Sequence, residues 1–243
     1  MGGGAVGEVC KELVRRIAKI GASLLQADPA TVTVQNGCVQ GSAGRVTFRE
    51  VAHAWYLEPQ HLGSDVDASG LEVTAGYRAA RDSGTFSYAT HAAVVAVDTE
   101  TGGVEILDYV VVEDGGVLVN PMIVDGQIRG GTAQGIGTCI YEAMPFDEQG
   151  QPLAGTLADY LLPGATEVPA IRVLHMETPS PYTSFGAKGI GEGGAVGPPA
   201  AIMSAVNDAL LGLGVEICDL PLSPQRILDA IEAARAARLS RIE

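Results

Sequence analysis

Between Ser184 and Pro199 the chain reads Ser-Phe-Gly-Ala-Lys-Gly-Ile-Gly-Glu-Gly-Gly-Ala-Val-Gly-Pro-Pro, so that Gly186, Gly189, Gly191, Gly193, Gly194 and Gly197 surround one acid, Glu192, and one base, Lys188. Glycine loses more backbone freedom on ordering than any other residue, so such a run does not choose a regular element by itself. It predicts an irregular loop whose N–H groups can approach a ligand closely. An acid placed there, with few side chains around it, can have its pKa raised towards neutrality, as a general base working near pH 7 requires. Gly189, Gly191 and Gly194 also satisfy a GxGxxG spacing. A dinucleotide fingerprint, however, follows a hydrophobic strand and meets an acid at the next strand about 20 residues on. Here the approach is Ser180-Pro-Tyr-Thr-Ser184, and the acid at that range, Asp208, falls on a predicted helix. On these residues alone, a loop that carries chemistry and a loop that only shapes the surface both stand.

A second segment is also rich in glycine. Asn120-Pro121 is a helix opening, with Asn as N-cap and Pro at the first helical position, and the helix is predicted to run to about Glu142. It carries Gly126, Gly130, Gly131, Gly135 and Gly137. Each costs about 1 kcal/mol of helix propensity against alanine, so something must approach this backbone closely. Elsewhere, apolar residues recur at three and four positions from Ala5 to Leu25, one face of a helix. Thr31 to Val34 and Arg45 to Phe48 read as strands around the Asn36-Gly37 turn, followed by a short helix from Arg49 to Tyr56. Ser87 to Val97 and Val104 to Val112 form a hairpin about Asp98-Thr-Glu-Thr-Gly-Gly103, and Ala170 to Glu177 is a further strand. Pro198 or Pro199 is expected to open a helix through Leu211, and Ser223-Pro224 another towards Ala237. Helices and largely antiparallel strands interleave without regular alternation, so the fold class is α+β. Two parts are expected, 1–115 and 116–243, or one continuous unit.

The net charge of −14, from 15 Lys and Arg against 29 Asp and Glu, argues against nucleic acid or an anionic membrane as partner and favours a small-molecule substrate or a protein. No stretch reads as the roughly 20 apolar residues of a membrane span, and Met1-Gly-Gly-Gly lacks the basic and apolar regions of a signal peptide, so a cytoplasmic location is expected. Cys10, Cys38, Cys139 and Cys218 form no CxxC pair, so no local zinc or iron-sulfur motif exists. His53, His61, His91 and His175 lack ligand spacing and are expected to be structural, with no metal bound by side chains of this chain.

Asn120-Pro121, Gly126-Gln127, Gly130 to Gly137 with Gln134, Asp147-Glu-Gln-Gly-Gln-Pro152, Asp159-Tyr-Leu-Leu-Pro163, Glu167-Val-Pro169 and Lys188-Gly-Ile-Gly-Glu192 follow in one order that resembles the xanthine oxidase, aldehyde oxidoreductase and carbon monoxide dehydrogenase family of molybdenum hydroxylases. The likeness spans nearly the whole chain and is to the C-terminal part of the molybdopterin-binding large subunit. It implies a molybdenum cofactor, molybdopterin, in bacteria commonly its cytosine dinucleotide form, and hydroxylation of a C–H bond of an aldehyde, purine or N-heterocycle, or oxidation of CO, with oxygen from water. It implies that Glu192 is the catalytic base and that Gln127, Gln134, Lys188, Gly189, Ile190 and Gly191 contact the cofactor. Lys188 would there offset negative charge. It further implies an iron-sulfur small subunit, an FAD medium subunit, and a chain carrying the N-terminal part of the large subunit. The chain is expected to begin just past a pterin-binding loop, either as a split subunit or as a truncated, cofactor-free fragment that serves only in assembly.

Overall fold

A computed structural model describes residues 2–66, 70–79, 81 and 85–240. The chain divides into two compact units, one of Met1–Asp82 with Tyr182–Ser184 and one of Ser83–Pro181 with Phe185–Glu243. The hairpin over 88–114 lies in the second of these units, bonded into its sheet.

In the first unit α1, Gly2–Leu25, buries mainly its C-terminal half, through Ile17, Ile20, Gly21 and Ala22, with Gly4 buried in its first turn. Beside it lies a sheet of β1, Thr33–Gln35, β2, Cys38–Gly41, and β3, Gly44–Thr47, in antiparallel order. The sequence predicts only the outer two strands; β2 is too short, between Gly37 and Gly44, to show an alternating pattern. Asn36 and Gly37 both take positive φ, 49° and 72°, as a two-residue hairpin turn requires. Helix α2, Phe48–Leu57, starts with a full capping box, Thr47 and Glu50 each bonding the other's backbone N–H. Ile17, Ile20, Val39 and Val51 make the core of this unit.

The second unit is built on β4, Tyr88–Val97, β5, Val104–Asp114, and β6, Ile171–Met176. The β4–β5 hairpin is antiparallel, and Asp98 holds its turn by accepting the N–H groups of Glu100 and Thr101. Strand β6 adds to β5 in parallel, in register from Tyr109↔Ile171 to Asp114↔Met176. Helices α3, Pro121–Ile140, and α4, Gly193–Leu210, pack on this sheet and on each other, and α5, Pro224–Leu239, joins the same core. That core is aliphatic, with Ile128, Ile136, Ile202, Val206, Leu222 and Ile227 fully buried.

Both N-caps expected from sequence are present: Asn120 accepts from Ile123 N–H and Ser223 from Arg226 N–H. Helix α4, however, starts at Gly193, five residues before the prolines expected to open it. Pro198 and Pro199 cannot donate to the preceding turn, so tertiary packing holds that turn instead. A Cβ on Gly135 of α3 would lie 2.7 Å from Ala195 O and from the Pro198 ring, and a Cβ on Gly131 3.1 Å from Ala195 N. The glycines of α3 thus have their close neighbour at these positions, while Gly126 and Gly130 face open space. The helical stretch Gly193–Leu213 is long and apolar enough to cross a membrane, unlike anything expected from sequence. Its residues Ile202, Val206 and Leu210 are sealed in the core of this unit.

Candidate active site

The glycine-rich loop is fastened to the end of β5. Gly115 and Gly116 follow the strand, and Gly116, at φ 66°, bridges Ala187 with its Cα pressed against Gly186 O. Val117 and Ser180 both donate to that same carbonyl, at 3.1 and 2.9 Å, and Lys188 N–H donates to Gly115 O at 2.8 Å. The Ile190 side chain lies over Gly115. No room for a Cβ exists at Gly116, so glycine is needed there for both conformation and space.

Lys188 is bound inside the protein. Its ammonium donates to Asp114 Oδ1 at 3.0 Å, with the two side chains only 7% and 1% exposed, and lies 4.5 Å from the Tyr88 ring centroid. Asp114 also accepts from the N–H groups of Gly116 and Thr178. Burial alone would raise the Asp114 carboxyl, but the bonds from Thr178, Gly116 and Lys188 outweigh it and hold it well below the usual carboxylate range. Lys188, expected to offset negative charge on a cofactor, is ion-paired with Asp114 here, and the pair anchors the loop.

Beyond Lys188 the loop turns outward. Gly193 N–H bonds Ile190 O at 3.4 Å, but the amides of Gly189, Ile190, Gly191 and Glu192 have no hydrogen-bond partner among the described residues. A Cβ at Gly189 or Gly191 would touch nothing within 4 Å. Gln127, from the second turn of α3, donates its side-chain amide to Gly191 O and so ties this stretch to the helix. Gln134, two turns further along the same helix, is exposed and does not line the cavity described next.

Glu192 is the N-cap residue of α4, with no side-chain capping bond, and it is exposed. The desolvated surroundings expected from its glycine neighbours are not supplied by the described residues. It stands on the wall of a cavity of about 450 Å³ with Ser87, Tyr88, Ala89 and His91 of the β4 side, Gly189, Gly191 and Gly193 of the loop, and Val196 and Gly197 of α4. The buried acid on that wall is Glu113, fully enclosed, with neither carboxyl oxygen hydrogen-bonded. Burial, and then the charge of Asp114, push its carboxyl above the usual range, with Lys188 opposing. Sequence reasoning missed Glu113, yet a signal was present: β5 alternates with Tyr109 and Val111 inward, and a period of two puts Glu113 on the same face. Among the described residues no group of three or more His, Cys, Asp or Glu side chains is placed to hold a metal ion.

A family model described as molybdopterin cofactor-binding domain matches residues 1–169, more than half of the chain. The chain belongs to the molybdopterin cofactor-binding domain family. As a member of it, the chain is 35% identical over 94% of its length to the nicotine 6-hydroxylase large subunit of Paenarthrobacter nicotinovorans, covering 28% of that protein. To the carbon monoxide dehydrogenase large chain of Hydrogenophaga pseudoflava it is 31% identical over 95% of its length, covering 28% of that chain. The crystal structure of quinoline 2-oxidoreductase from Pseudomonas putida 86 matches 93% of this chain with a TM-score of 0.82 at 38% identity, and 29% of that chain is covered. The chain thus spans under a third of the length of these relatives, and its likeness is to a fragment of a molybdenum hydroxylase large subunit.

Proposed function

We propose that this chain supplies the cofactor-facing loop and the catalytic base of a molybdenum hydroxylase that acts in the cytoplasm. The observation that carries this reading is the run of four unpartnered amides, Gly189 to Glu192, beside an exposed carboxylate at a cavity. Such a run suits a ligand rich in hydrogen-bond acceptors, and the open space at Gly189 and Gly191 lets it come close. A molybdopterin, as its cytosine dinucleotide form, fits that description, and its molybdenum would be held by the cofactor's own ligands. When bound, the cofactor supplies electron acceptance and the activation of water.

The chain's own residues divide the remaining work. The Gly189, Ile190 and Gly191 amides hold acceptor groups of the cofactor, Gln127 fixes Gly191 by its carbonyl, and the Lys188–Asp114 pair keeps the loop on the end of β5. Glu192 takes a proton on its carboxylate from the oxygen nucleophile. The product is a hydroxylated aldehyde, purine or N-heterocycle, or oxidised CO. Two of the relatives above are named for nicotine and quinoline, both N-heterocycles, so compounds of that class are the first to assay. The electrons leave through iron-sulfur and FAD centres on partner subunits, and the rest of the large subunit completes the site.

The test is Glu192→Gln in the complex purified from its host. Turnover should fall by about 10²-fold or more at unchanged molybdenum content, the scale of a lost general base. Unchanged turnover in a loaded complex sinks the assignment. A chain that carries no molybdenum from any source is instead the cofactor-free assembly module.

A further inference from the structure

The described residues hold five buried side-chain atoms without a hydrogen-bond partner: His91 Nε2, both carboxyl oxygens of Glu113, Thr132 Oγ1 and His175 Nδ1. Native interiors leave few such atoms, so their gathering in one place needs a cause. They do gather. Glu113 is in register with His175 of β6 on one side and Ala89 of β4 on the other, and His91, two residues along β4, pairs with Val111 on the same inner face. The first two turns of α4 lie over them. A Cβ on Gly193 would sit 2.7 Å from Glu113 Oε1, one on Gly197 would enter the His91 ring, and one on Gly194 would sit 3.0 Å from Thr132 N. Glycines four apart on α4 thus each rest on an ionisable side chain, Glu113 buried and His91 half-buried, and the helix they belong to is the one that Glu192 caps.

We propose that Glu113 is a positioning residue for Glu192: its sealed carboxyl, with His91 and His175 on the same face of the sheet, is the seat on which Gly193 rests, and it fixes the turn from which Glu192 projects. A carboxyl enclosed without a partner is far cheaper to keep neutral than charged. Most of the groups that face it set the same preference, with Lys188 opposing. On its own strand, Asp114 repels a second negative charge and Tyr109 bonds His91 at 3.0 Å through its hydroxyl. On β4, burial lowers the His91 imidazole and disfavours its charged form. On β6, His175 has Asp125 of α3 at 4.0 Å from its other ring nitrogen. In the loop, the Lys188 charge is already matched by Asp114, and Glu192 adds a further acid on the cavity wall. If Glu113 ionises, it places a charge under Gly193 that Lys188, already paired with Asp114, offsets only in part, and the seat is lost.

The catalytic consequence rests on Glu192 being the base, while the seating of the loop does not, and the test reads the two apart. Hydrogen exchange of the segment 185–200 and thermal midpoints are measured on the protein as isolated with its co-purifying chains, for the wild type, Glu113→Gln and Glu113→Leu. Glutamine copies the neutral acid in shape, so exchange in this segment should stay at the wild-type rate, whereas leucine should speed it about tenfold or more. A folded-state value raised above the ordinary 4.5 means that stability present below pH 4.5 is lost as pH rises, so Glu113→Gln should gain on the wild type progressively above that pH. Equal exchange in all three proteins, or a Gln-to-wild-type difference that is the same at about pH 4 and about pH 8, overturns the proposal. If the leucine variant does not fold, the glutamine pH series still decides. Unchanged turnover in Glu192→Gln would remove the base assignment and leave these readings standing.

Discussion

Asp114 and Glu113 are chain neighbours, both acids, both sealed, and they meet burial in opposite ways. Asp114 has Lys188 and two backbone N–H groups; Glu113 has none. The consequences are measurable. Asp114→Asn would leave the Lys188 ammonium buried without a counter-charge, which costs about 3–5 kcal/mol. That should appear as a lower denaturant midpoint at unchanged slope, and Lys188→Met in the same background should recover much of it. The sign with pH follows from the depressed Asp114 carboxyl: its contribution is present above the ordinary 3.8 and is lost as pH falls through the lower folded value. The gap between wild type and Asp114→Asn should therefore be wide at about pH 7 and narrow in strong acid, and a constant gap would refute the pairing. None of this was legible as chemistry in the sequence. Glu113 could have been placed inward by the two-residue period of β5, but that Lys188 turns back to Asp114, 74 residues earlier, is a matter of tertiary geometry that no local pattern encodes.

Two glycines of one substructure separate fold from function at the level of elements. Gly116 has φ 66° and its Cα pressed on Gly186 O, so Gly116→Ala should strain the β5–loop junction by at least about 1–3 kcal/mol and unfasten the loop. Gly189 has open space and no left-handed backbone, so Gly189→Ala should leave stability within about 0.5 kcal/mol, while molybdenum retained by the purified complex falls if a cofactor packs there. Unfolding curves and metal analysis on the same two preparations check both. The element boundaries themselves tell where sequence suffices. The β4–β5 hairpin, the Asn120 cap and the Ser223 cap are local chemistry, and each was readable from a few residues. The start of α4 was not, because Pro198 and Pro199 argue locally against the turn that Gly131 and Gly135 of α3 hold in place by backbone contact. Strand β6 was readable as a strand, but its parallel partner, across α3 and a long irregular stretch, was not.

For the molecule as a whole, the glycine pattern and the length of the relatives point the same way. Five glycines in α3 implied close neighbours; Gly131, Gly135 and Gly137 have theirs within this unit, and Gly126 and Gly130 do not. The same helix start carries Val119, Met122 and Ile123, exposed by 77%, 77% and 61%. Bare backbone beside exposed apolar side chains is the character of a surface that another element covers. With relatives more than three times as long, the occupant consistent with the proposed function is the remaining part of a large subunit. Because Met122 and Ile123 touch little within this chain, Met122→Glu and Ile123→Glu should leave its own unfolding within about 0.5 kcal/mol of the wild type. Each buries a charge if a partner sits there, so the yield of the co-purified large-subunit partner should drop at least about tenfold. Undiminished recovery of that partner with both variants would show that this face of α3 is free in the complex, and the missing contacts of Gly126 and Gly130 would then have to come from the cofactor itself.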